Sequence, residues 1–130
     1  MTGKRLYVRS LQTLATEAII EEHFDSVSGE EGWSPRYNVA PTQPVPIIRQ
    51  HPKEPRRELS LFRRGLIPSW AKGASGAAGM INARSETAAT SPAFRDALKS
   101  RRCMVPAGGF YEWSLAGKTK QAVLLRGQPW

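Results

Sequence analysis

The stretch PAGGFYEWSLAG sets one carboxylate, Glu112, among three aromatic residues. As a strand, it turns Gly109, Tyr111 and Trp113 one way and Phe110, Glu112 and Ser114 the other. Glu112 is then either on the solvent side of an edge strand or in the lining of a pocket. A carboxyl group partly withdrawn from water in a pocket can give or take a proton near neutral pH. A second pair, Asn82 and Arg84 in INARSE, stands two residues apart, so on a strand the two share a face. Asparagine offers both a donor and an acceptor, and arginine a rigid fork that fits a phosphate. The plain structural alternatives are a turn or cap for Asn82 and a surface ion pair with Glu86 for Arg84. A third group is aromatic: Trp33, Tyr37 and Trp70 lie in or beside segments that carry Arg36, Arg63, Arg64 and Lys72. Rings stack on bases, at about 1–3 kcal/mol each, while cations track the phosphates. The alternative is that the tryptophans are core residues, which is the expectation for Trp113.

The elements that must position these groups are short. SLQTLATEAIIEEHF has helical spacing of Leu11, Leu14, Ala15, Ala18 and Ile19, with Ser10 as the expected N-cap. RYNVAPTQPVPIIRQ reads as an extended segment ending in a strand at 45–49, and its prolines suit a sheet edge. ELSLFRRGLIPSW is a strand that breaks at Pro68, and AKGASGAAG reads as a flexible surface loop. In MINARSETAATSPAFRDALKS a short strand gives way to a helix over 92–99, capped by Ser91 and opened by Pro92. RRCMVP and GGFYEW read as strands, and QAVLLR pairs back on the latter through a turn near Gly117. The sum is an α+β domain, 1–130, with mostly antiparallel strands. It ends at RGQPW just past an apolar strand, so the expected fold is cut short at a strand edge.

Composition narrows the partners. The 130 residues include 19 Lys+Arg and 11 Asp+Glu, a net charge of +8 that favours polyanions. No apolar run approaches membrane length, and the N-terminus MTGKRLYVRS has no apolar signal core. One cysteine, Cys103, excludes an internal disulfide and fits a reducing cytosol; with His23 and His51 it makes no metal-ligand cluster. No phosphate-binding glycine loop, dinucleotide fingerprint, zinc-protease or nucleophile-elbow motif is present.

Taken in order, RYNVAPTQ, RRGLIPSWAK, INARSETA, PAFR and RRCMVPAGGFYEW resemble the motif series of the SRAP family, proteins that crosslink to abasic sites in single-stranded DNA. The resemblance runs the length of the chain and covers the first half to two-thirds of a typical family domain. It implies an SRAP-like fold of sheets or an open barrel with flanking helices. It also implies a chemistry. The initiator Met is removed, the α-amine of residue 2 attacks the aldehyde of a ring-opened abasic sugar, and a Schiff base forms that the family's Cys closes to a thiazolidine. By the same resemblance the catalytic residues are Thr2, Asn82 and Glu112, and the DNA contacts are Lys4, Asn38, Trp70 and Arg84. Asn82 would position the terminus and the sugar, Glu112 would assist ring opening and proton transfer, and Arg84 would contact phosphate. No cofactor or metal is implied. The implied partner is single-stranded DNA carrying abasic sites, met by a cytoplasmic monomer that is nucleoid-associated when bound.

The chain departs from the family pattern in three places. Residue 2 is Thr, not Cys; the family's catalytic His belongs to a motif downstream of Trp130, and neither His23 nor His51 aligns with it; and Arg64 stands where the family has an aromatic. A hydroxyl closes a ring on an imine far less readily than a thiol. The expectation is therefore a transient imine, with weak strand cleavage by β-elimination, in place of a persistent crosslink. The competing expectations are a single-stranded nucleic-acid-binding module without chemistry and a non-functional fragment. RNA binding is the weaker option, since no RRM or KH signature appears.

Overall fold

The computed structural model describes residues 10–29 and 32–128. It is an α+β fold of two sheets, one ordered β3-β1-β6-β7 and the other β2-β5-β4. The first is antiparallel throughout and is built from β1 (Ser10–Thr13), β3 (Arg36–Val39), β6 (Gly109–Ala116) and β7 (Thr119–Arg126). The second joins β2 (Ser26–Ser28) in parallel and β4 (Pro44–Gln50) antiparallel to β5 (Arg57–Arg63).

Strand alternation explains how one short strand serves two cores. On β4, Val45 and Ile47 cluster with Leu11 of β1 and Val39 of β3. Ile48, on the opposite face of β4, clusters with Leu59 of β5 and Ile20 of α1 (Glu17–Phe24). The second sheet is therefore the middle layer, between the first sheet and α1. Trp33 packs against both clusters, and its backbone N–H donates to the Glu17 carboxylate at 3.2 Å.

Helical spacing in SLQTLATEAIIEEHF misplaced the start of α1. Residues 10–13 are the strand β1, and Thr16, not Ser10, is the N-cap, its hydroxyl accepting from the Ile19 N–H at 3.5 Å. β1 is hydrogen-bonded on both sides, to β3 and to β6. That non-local pairing buries Leu11, Gln12 and Thr13 together, which no helical face could do. The helix stops at Asp25, left-handed at φ 48, whose N–H bonds the Glu21 carbonyl.

The prolines of β4 sit where an edge strand allows them. Ile48 exchanges both backbone hydrogen bonds with Met104 at 2.8 Å, so the backbone groups of Ile48 point away from β5, and alternation turns those of Pro44 and Pro46 the same way. RRCMVP was expected to form a strand and forms only this bridge. Its register would next oppose Pro106 to Pro46, and neither has an N–H to give. Between β5 and β6 the chain is mostly irregular. Gly65 at φ 123 ends the β5 run. AKGASGAAG contains a 3-10 helix, Ala74–Gly79. The expected strand around Asn82 is absent; Met80 accepts a single hydrogen bond from Leu66 at 3.1 Å, and α2 (Ser85–Ala88) follows. The helix expected from Pro92 begins one turn later, as α3 (Arg95–Ser100).

The β6–β7 hairpin closes through the two residues Gly117 and Lys118, with Gly117 at φ 65, the first-position glycine a tight hairpin turn favours. Apolar residues remain exposed on both of its faces: Trp113 and Leu115 on one, Val123 and Leu125 on the other. Trp113 is thus not the core residue its sequence context suggested. At the root of the hairpin, β6 and β7 approach closely: a Cβ on Gly109 would lie 2.8 Å from the Leu125 carbonyl oxygen. Gly109→Ala should therefore lower stability by roughly 1–3 kcal/mol in urea denaturation, while Gly73→Ala, with nothing within 4 Å of its Cβ, should change it by less than about 0.5 kcal/mol.

Candidate active-site cleft

β1 runs antiparallel to β6 and brings Ser10 opposite Tyr111. On the other side of β1, Leu11 opposes Val39, so the adjoining Asn38 turns to the outer face of the sheet. Ala122 of β7 opposes Trp113. These registers assemble a cleft of about 360 Å³ lined by Ser10, Asn38, Tyr111, Glu112, Trp113 and Ala122. The Tyr111 hydroxyl donates to the Tyr37 carbonyl at 3.3 Å and so spans β1 from β6 to β3. Sequence reasoning missed Ser10 as a lining residue and missed this tie, because both depend on strand pairing across gaps of many residues.

Glu112 is half-buried at the rim of this cleft. Alternation carries its side chain to the opposite face of the sheet, the face of Phe110, with Val123 directly across on β7. Phe110 packs against the core cluster of Leu11, Val39, Val45 and Ile47, so the carboxylate stands just beyond the apolar interior.

The remaining candidates are not among the residues that line this cleft. Asn82 is exposed and is not among the cleft's lining residues; its Oδ1 accepts from Arg64 Nη2 at 3.3 Å. Burial pulls the Arg64 guanidinium below its ordinary value. Arg84 is exposed, with its backbone at the N-cap of α2 and its carbonyl accepting from Thr87 and Ala88. Since residues 80–84 form no strand, Asn82 and Arg84 do not share a strand face. Among the described residues Arg84 makes no ion pair with Glu86. Trp70 and Tyr37 are 65% and 71% exposed, placed to offer ring faces to solvent, whereas Trp33 belongs to the core. Thr2 and Lys4 lie outside the described residues. No described helix is long and apolar enough to cross a membrane.

Residues 6–129 match the family model SOS response associated peptidase (SRAP). The chain belongs to the SRAP family. Among SRAP relatives, it is 45% identical over 104 residues to the abasic site processing protein YoqW of Bacillus subtilis, covering 78% of this chain and 46% of that protein. It is 34% identical over 102 residues to the abasic site processing protein HMCES of Gallus gallus, covering 71% of this chain and 30% of that one. The chain thus spans less than half the length of these curated relatives. The fold also matches a crystal structure of a protein from Bacteroides thetaiotaomicron, with a TM-score of 0.72 and 25% identity over 87% of this chain and 51% of the other. A Bordetella bronchiseptica protein gives 0.69 and 26% over 88% and 55%.

The two described loop tryptophans of this SRAP chain should separate by thermodynamics. Trp33→Ala is expected to lower unfolding free energy by about 3 kcal/mol, and Trp70→Ala to change it by no more than about 0.5 kcal/mol. Equilibrium urea unfolding followed by far-UV circular dichroism reads both.

Proposed function

We propose that this chain recognises abasic sites in single-stranded DNA and reacts with them through an imine on its processed N-terminal amine. The observation that carries this reading is its SRAP membership together with relatives named abasic site processing proteins. Three features support it. The net charge of +8 suits a polyanion. Trp70 and Tyr37 present exposed rings on which unpaired bases can stack. The N-terminal end of β1, Ser10, lies opposite Tyr111, one residue from Glu112; the eight steps from Ser10 to Thr2 span at most about 28 Å when extended, enough for the terminus to reach that strand.

The chemistry follows from the groups present. Removal of Met1 frees the Thr2 α-amine, and an ordinary α-amine keeps a useful neutral, nucleophilic fraction at pH 7. The amine adds to the sugar aldehyde to give a carbinolamine, which loses water to become the imine. Glu112, as its acid, protonates the departing hydroxyl; as carboxylate it takes the proton from the attacking amine. Asn82 orients the sugar through its amide, Arg84 pairs with a phosphate, and Lys4 and Asn38 contact the strand. The Thr2 hydroxyl stays protonated and closes no stable ring, so the imine persists only until hydrolysis returns the aldehyde. The competing exit is loss of a C2′ proton, which expels the 3′ phosphate and cleaves the strand. The absence of Cys at position 2 favours one alternative, a binding module without chemistry that holds single strands whether or not they carry an abasic site.

Borohydride trapping on abasic single-stranded DNA decides between them. The imine reading predicts a reduced covalent complex between pH 6 and 8, formed about 100-fold more slowly by Glu112→Gln. It also predicts a borohydride-independent adduct for Thr2→Cys. No trapped complex across that range, from protein that still binds the strand, overturns the covalent reading and leaves the binding module.

A further inference from the structure

The Ile48–Met104 bridge has consequences beyond the fold. Prolines stop the pairing on one side of it. On the other side its register would oppose Gln50 to Arg102, but no backbone hydrogen bond joins them and the strands part. The gap is an open cleft of about 400 Å³ lined by Ile48, Arg49, Gln50, Arg57, Arg102, Cys103 and Met104. Since Ile48 directs its backbone groups away from β5, alternation points the Gln50 N–H into the same gap.

Three guanidinium-bearing residues line this space and no carboxylate does. Two are partly committed. Arg57 Nη1 donates to the Phe24 carbonyl at 2.7 Å. Arg49 stacks over the Phe62 ring and lies 3.7 Å from the Glu58 carboxylate, while its Nε is buried without an acceptor. The Arg102 guanidinium has no ion pair or hydrogen-bond acceptor among the described residues. The uncommitted Arg102 guanidinium and the Gln50 N–H, at a strand edge with apolar walls from Ile48 and Met104, offer donors to a phosphate oxygen, with Arg57 and Arg49 adding positive charge nearby.

We propose that this cleft is a second anion site, separate from the Glu112 cleft, that takes a backbone phosphodiester of single-stranded nucleic acid. It is lined mainly from β4 and residues 102–104, whereas the Glu112 cleft is lined from β1, β3, β6 and β7. It lies open at a sheet edge, so a continuing strand can enter and leave, which a site for a small phosphate ester does not need. Nothing in it requires an aldehyde, and it stands whether or not the imine forms.

The test uses an undamaged, labelled oligothymidylate. By fluorescence anisotropy, Arg102→Ala is expected to weaken binding about tenfold at low salt and to reduce the slope of log affinity against log salt by about 0.7, the value for one phosphate on a single strand. Arg102→Lys should keep most of the slope. Lys118→Ala, at the hairpin turn, removes the same charge away from the cleft and should leave the slope near wild type. Cys103, the chain's one cysteine, gives a second readout: bound oligothymidylate should slow its alkylation by a maleimide at least threefold at pH 8.5. Equal effects of Arg102→Ala and Lys118→Ala would mean that only net charge matters, and would overturn the proposal. So would protection of Cys103 by inorganic phosphate but not by the oligonucleotide, which would make the cleft a small-anion site.

Discussion

Four residues, Ser10–Thr13, hold the first sheet together. β1 is hydrogen-bonded to β3 on one edge and to β6 on the other, so everything the sheet presents depends on its register. Leu11 enters the core with Val39, and that choice sends Ser10 and Asn38 to the opposite face. A shift of one residue would put Gln12 against Val45 and Ile47 and expose Leu11. The buried apolar contacts thereby fix which polar residues surround the Glu112 rim. The direction of β1 matters as much, because running antiparallel to β6 it delivers the N-terminal end of the strand beside Tyr111.

The middle sheet carries a second constraint. β4 buries Val45, Ile47 and Ile48 on two faces although it stands at the sheet's edge. Prolines at 44 and 46 make that edge a poor template for further pairing, and the single bridge to Met104 covers part of the rest. The place where the bridge ends is where the arginines gather. Packing and charge are thus linked here: an interrupted ladder leaves the Gln50 N–H unpaired in a gap that three arginines help to line.

Much of this was legible in the sequence wherever the determining interactions are local. The hairpin turn at Gly117, the edge character of the proline-rich strand and the alternation around Glu112 all follow from neighbours within a few residues. Motif order also marks the family, which the match over residues 6–129 shows. The failures share a cause. LQT looked helical because Leu11 falls in phase with Leu14 and Ala18, but partners at 36–39 and 109–111 outweigh that phase. RRCMVP looked like a strand until its register set Pro106 against Pro46. Trp113 and Trp33 exchanged their expected places, since which of them is covered depends on how sheets and helix stack and not on the neighbouring residues. The cleft lined by Arg49, Arg57 and Arg102 joins segments some fifty positions apart, and no spacing rule marks it.

The proposed chemistry makes the α-amine of residue 2 the reacting group. Tandem mass spectrometry of the borohydride-reduced adduct locates the sugar remnant on the peptide chain. The expected position is the N-terminal amine of a chain that has lost Met1. A remnant on a lysine side chain such as Lys4 or Lys72, with the terminus unmodified, would contradict it.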